Sequence, residues 1–137
     1  MRIGKSGLFL WGLYAAFAGF AVISSWQETT LDFSGNLGGF KALVWLALLV
    51  FLAYSFYCTA RENFFRSVRT VTAMLWGRQI VADLYLGILI GLLIIVLNDG
   101  FLVAIVWLVP LLIYANLSML LYVALHFDEI VAAFIGV

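Results

Sequence analysis

Residues 98–126, NDGFLVAIVWLVPLLIYANLSMLLYVALH, decide how this chain is threaded. Within them, residues 101–125 run for twenty-five positions without a charge. About 20 apolar residues suffice to cross a hydrocarbon core at 1.5 Å per residue. The run is therefore expected to be a fourth membrane span, tilted or bent to fit its excess length. Pro110, near its middle, removes a backbone donor and is the expected kink. Tyr114, Ser118, Tyr122 and His126 follow at four-residue intervals, so one continuous helix would align them as a polar stripe. Asn98-Asp99-Gly100 just ahead reads as a tight turn, which makes the preceding segment its antiparallel partner.

The rest of the chain has the same character. Of 137 residues, 66% are hydrophobic and 10% charged, and mean hydropathy is +1.18. Soluble proteins carry about 25% charged residues, so this composition indicates a membrane protein. One cysteine excludes an intrachain disulfide and any multi-cysteine metal site within one chain. No basic tail or low-complexity segment points to nucleic acid.

Working outward, residues 7–26 form a first uncharged span behind Lys5 and Arg2. A cleavable leader ending near Ala16-Phe17-Ala18 is the competing reading, disfavoured because the run exceeds the usual length of a leader's apolar core. Residues 27–39, QETTLDFSGNLGG, form a polar loop carrying Glu28 and Asp32. A second span covers residues 40–58, with Lys41 in its first turn expected to reach back to the headgroups. A third covers residues 79–97 and places Asp83 about one turn inside the lipid boundary. The expected fold is an all-α integral membrane domain over residues 1–137, a four-helix bundle. Small residues spaced four apart, Gly12/Ala16 and Gly87/Gly91, mark faces where helices can approach closely.

Joining the second and third spans is the stretch CTARENFFRSVRTVTAMLWGRQIVADLY, residues 58–85, which holds four of the seven basic residues and two of the seven acidic ones. On a helical wheel Phe64, Val68, Val71 and Leu75 share one face, while Glu62, Arg66, Arg69 and Thr70 project from the other. Residues 61–76 are therefore expected as an amphipathic helix in the membrane interface, with Gly77 breaking it. Basic residues cluster here and before the first span, and the other connections have none. The positive-inside rule then puts both termini in the cytoplasm and argues against dual topology.

With four spans, this threading gathers Cys58, Arg61, Glu62, Arg78, Gln79, Asp83, His126, Asp128 and Glu129 at one depth, near the cytoplasmic interface. Ionisable groups at a membrane boundary are functional candidates, although ion pairing that fixes helix register explains the same clustering. Arg61, Arg66 and Arg69 are candidates for anionic headgroups. No nucleophile elbow, phosphate loop, HExxH pair or dinucleotide fingerprint occurs. The residues imply no cofactor and no recognisable metal-ligand spacing. The favoured function is a small non-catalytic subunit or scaffold, self-associating or part of a larger membrane assembly, whose basic face engages anionic lipid or a partner protein. The alternatives are an oligomeric channel or transporter using the polar stripe, and a lipid-headgroup enzyme at the inner interface with His126 or Glu62 as base.

Overall fold

A computed structural model describes residues 3–136, which form seven α-helices and no strand. Three are long and apolar enough to cross a membrane: α1 (Lys5–Ser25), α2 (Gly38–Arg61) and α4 (Leu75–Asp99). Between α2 and α4 lies the short α3 (Phe64–Ala73), started by Asn63, whose side chain accepts from the Arg66 backbone N–H at 3.1 Å. The break after α3 falls at Met74, in extended conformation, and not at Gly77. Gly77 sits in the first turn of α4, where an added Cβ would overlap the Val71 carbonyl. Its missing side chain is what lets α3 fold tightly onto α4.

The expected span at residues 101–125 is two helices that double back. The first, α5, is Phe101–Tyr114; the second, α6, is Asn116–Leu125. Ala115 alone joins them, at φ 49° and ψ −123°, a conformation an L-residue adopts at a cost of about 1–3 kcal/mol. Trp107 and Tyr122 illustrate the reversal. Their rings are 5.1 Å apart, whereas a continuous helix would separate them by ~22 Å. The Ser118 hydroxyl likewise donates to the Pro110 carbonyl at 3.1 Å. Pro110 lies inside α5 and does not make the break. α5 spans ~21 Å and α6 ~15 Å, each short of a ~30 Å hydrocarbon core. A final helix, α7 (Phe127–Ile135), is bent 73° from α6.

Tyrosine hydroxyls tie the apex of the hairpin to its neighbours. Leu112, whose carbonyl has lost its helical partner, accepts from Tyr85 of α4 at 2.7 Å. Tyr114 donates to the Leu10 carbonyl at 2.6 Å, and Tyr14 to the Leu117 carbonyl at 3.3 Å. The Ala115 N–H closes α5 on Leu111, and its carbonyl opens α6 by accepting from Ser118 and Met119. Where water is excluded, irregular backbone of this kind depends on protein groups for its hydrogen-bond partners.

The hairpin is the centre of the domain. Leu117, Ser118, Leu121, Tyr122, Ala124 and Leu125 of α6 are all buried. α5 and α6 pack against α1, α2 packs along α6, and α4 packs along α5. Edge-to-face pairs Phe17–Trp107 and Tyr14–Tyr114 join the hairpin to α1. Where α6 does not reach, α1 and α2 meet directly: Trp11 stacks edge-on with Phe56 at 5.5 Å, and Gly7 lies against Thr59. Of the four expected close-packing residues, only Gly91 is buried, against Met119 of α6; Gly12, Ala16 and Gly87 are exposed. In α2 only Gly38, Lys41 and Leu48 are buried, leaving its apolar side chains on the outside. Such a surface suits hydrocarbon, not water.

Candidate functional site

The reversal at Ala115 divides the polar residues between two ends of the bundle. Cys58, Arg61, Glu62, Arg78, Gln79 and Asp83 stay together near α3, at the end where α1 begins. His126, Asp128 and Glu129 lie at the opposite end, beside the 27–37 loop and the α4–α5 turn. Along α4 the two ends are ~24 Å apart, from Asp83 to Asp99. The expected single cluster of nine is therefore two sites, and Glu62 is not near His126. The described N-terminal and C-terminal segments, Gly4 and α7, also lie at opposite ends.

At the α3 end the arginines are exposed and form no ion pair among the described residues. Arg61 lies over the Tyr57 ring at 5.3 Å, and Arg78 donates from Nε to the Thr72 carbonyl at 2.7 Å. Glu62 accepts from Ser67 at 2.9 Å and thus holds the start of α3. Arg66 and Arg69 project from one side of α3, with Phe64, Phe65, Val68 and Val71 exposed on the helix as well. Cys58 is a free, exposed thiol.

The opposite end is a closed polar knot built around the mouth of the hairpin. Asp99 immediately precedes α5 and His126 immediately follows α6, so the fold-back alone brings them together. His126 donates from Nδ1 to Glu129 at 2.8 Å, and the same nitrogen is 3.7 Å from Asp99. Tyr122 stacks on the imidazole at 4.5 Å and donates to Asp99 at 2.7 Å. Asn98 donates to the Tyr122 hydroxyl at 3.0 Å and to Glu129 at 3.4 Å. Gln27, from the first loop, donates to Glu129 as well. Burial pushes the Glu129 carboxyl up, but bonds from His126, Gln27 and Asn98 outweigh it and leave the group below its ordinary value. Glu129 and Asp128 also occupy the first turn of α7, where the helix dipole favours negative charge.

Lys41 belongs to this end and does not extend outward to the headgroups. Its side chain is 2% exposed, and its ammonium bonds Asp128 at 2.7 Å and the Thr29 carbonyl. It ties α2, the first loop and α7 together. The expected stripe of Tyr114, Ser118, Tyr122 and His126 is likewise redistributed. Tyr114 ends α5, Ser118 and Tyr122 sit on α6, and His126 follows it. Each spends its hydrogen bonds on a different neighbour.

Reading the sequence missed Asp99, Asn98, Gln27 and Lys41 as members of a site, and Tyr14 and Tyr85 as supports of the apex. Asn98-Asp99 carried a turn signal that masked its second role. The i,i+3 spacing of His126 and Glu129 was the one local hint. No protein-family model, curated protein or solved structure matches the chain.

Proposed function

We propose that this chain is a small non-catalytic integral membrane protein, a subunit or scaffold whose basic end faces the cytoplasm and holds anionic lipid headgroups. In this reading α1, α2 and α4 cross the bilayer, the α5–α6 hairpin enters and leaves from the far side, and α7 lies along that far surface. The positive-inside rule sets the direction, with Arg61, Arg66, Arg69 and Arg78 inside. The N-terminal end of α1 is then cytoplasmic, and α7 is on the other side.

The observation that carries the lipid reading is the set of exposed arginines without carboxylate partners among the described residues, next to the exposed apolar residues of α3. An amphipathic helix so placed rests its aromatic side on acyl chains while its guanidinium groups meet phosphates. Each basic residue near the surface adds about 1 kcal/mol toward anionic lipid. The double substitution Arg66→Ala/Arg69→Ala is thus expected to weaken phosphatidylglycerol retention about thirtyfold. The measurement is native mass spectrometry of the detergent-purified chain, offered phosphatidylglycerol and phosphatidylcholine in turn. Equal retention of the two lipids by the unmodified protein would reject the reading.

A second reading, permeation through an oligomer, is favoured by one feature. Half-length helices meeting inside the membrane are the architecture in which many transporters place their ion and substrate sites. Flux through liposomes containing the purified chain, lost in Tyr122→Phe with His126→Ala while assembly is retained, would select it over the scaffold.

A further inference from the structure

We infer that Asp99, His126 and Glu129 form a binding site for a divalent transition-metal ion of the Zn²⁺ class, at the mouth of the α5–α6 hairpin. One ligand atom from each residue lies within 4.8 Å of the other two, a spacing that small side-chain movements close onto an ion with bonds of ~2.0–2.2 Å. The three come from different places in the fold. Asp99 ends α4, His126 caps α6, and Glu129 lies in α7. An ion held by all three would clamp the hairpin shut at its open end.

Charge and orientation support the assignment. Two carboxylates face one imidazole nitrogen, whose single N–H is given to Glu129. The other cationic side chain at this end, Lys41, is engaged by Asp128. Among the described residues, no arginine and no further lysine lies nearby, so one imidazole faces two carboxylates and at least one negative charge is left for a divalent ion to neutralise. Each carboxylate is also held in place by a neighbouring donor. Tyr122 donates to Asp99, and Asn98 and Gln27 donate to Glu129, as outer-sphere groups do around bound metals.

His126 itself is 8% exposed and its Nε2 is buried without a partner. All its polar chemistry therefore runs through Nδ1, the nitrogen that faces the carboxylates. On binding, the Nδ1 proton moves to Nε2 and the freed lone pair takes the metal. The missing acceptor at Nε2 lowers affinity by ~10–100-fold relative to a fully supported histidine. The donor set of one imidazole and two carboxylates favours Zn²⁺ over Mg²⁺, which prefers oxygen and retained water.

Calorimetric titration of the chelator-treated, detergent-purified full chain tests this, using Zn²⁺ alone and Mg²⁺ alone, with thermal unfolding read in parallel. A single saturable Zn²⁺ site per chain, a raised Tm and no comparable Mg²⁺ binding are expected. Glu129→Gln and Asp99→Asn should each weaken Zn²⁺ binding at least ~10-fold, while Asp32→Asn, an exposed carboxylate on the 27–37 loop, leaves it unchanged. Using two conservative variants keeps the test sound if His126→Ala fails to fold. Absence of saturable Zn²⁺ binding, equal binding of Mg²⁺, or undiminished affinity in both variants would overturn the assignment. None of these results bears on lipid retention at the α3 end.

Discussion

Two stretches of twenty-five residues stand side by side in this chain and behave oppositely. Leu75–Asp99 is one uninterrupted helix, α4. Residues 101–125, free of charge and interrupted only at Ala115, turn back on themselves. Hydropathy does not separate them, because it reports the cost of leaving water and says nothing of where backbone carbonyls find donors. The difference lies in the surroundings. α4 meets its neighbours on one side and leaves Leu86, Leu89, Ile90 and Leu93 outside. α6, with six of its ten residues buried, is enclosed by its neighbours, and tyrosine hydroxyls from α1 and α4 bond carbonyls at the hairpin's apex. A bent segment at membrane depth needs such enclosure; a straight one does not.

The largest test of that contrast is all or none. In a Cys58→Ser background, single cysteines introduced at Thr70 and at Ala133 should react with an impermeant thiol reagent from opposite faces of sealed vesicles. Were residues 101–125 a simple span like α4, both would react from the same face.

Next in size is the reversal itself. Ala115→Val places a β-branched residue at φ 49° and should cost about 2–3 kcal/mol, read as a lower Tm in detergent. Ala115→Gly relieves the same strain and should raise stability by about 1 kcal/mol. Equivalent substitutions at Leu89, on the outer side of α4, should show neither effect.

Smaller again is the cross-link between the two stretches. Tyr85→Phe leaves the Leu112 carbonyl without a donor and should cost about 1–2 kcal/mol. Tyr54→Phe, an exposed tyrosine on α2, is the matched control.

The smallest effect is electrostatic and confined to the hairpin's mouth. Glu129 has a carboxyl held below its ordinary 4.5, so its contribution is present above that value. It is lost as pH falls through the lower, folded-state value. Unfolding followed between about pH 6 and pH 3 should show this acid loss in the parent and a reduced loss in Glu129→Gln, by under about 1 kcal/mol because the group is partly exposed.

Much of this architecture was legible in the sequence. The three long helices, the amphipathic α3 with its arginines, and the turn at Asn98-Asp99-Gly100 all followed from length, periodicity and turn chemistry. The reversal did not. Pro110 offered a stronger local break than Ala115, yet proline fits within α5, and alanine is ordinarily the best helix former. Only the combined pull of Tyr14, Tyr85, Tyr114 and Ser118 makes the positive-φ turn at Ala115 worthwhile, and those residues are scattered over four helices. The polar site suffered the same loss. Once residues 101–125 were drawn as a crossing, His126 and Glu129 were assigned to the wrong end, and Asp99 could not be seen as their neighbour. Lys41 was misread because snorkelling is the usual habit of a lysine near a helix end, and the Asp128 carboxylate that draws it inward arrives from 87 positions later.

The burial of α6 has a consequence for biosynthesis. The segment that completes the interior is translated after every helix it touches except α7, so, if they cross the bilayer as proposed, nascent α1, α2 and α4 must wait there with an unfilled cleft. Their insertion is favoured by length alone, while the hairpin can settle only once its berth exists. A chain ending at Asp99 would thus lack the packing that α5 and α6 supply and stay open to quality-control proteases.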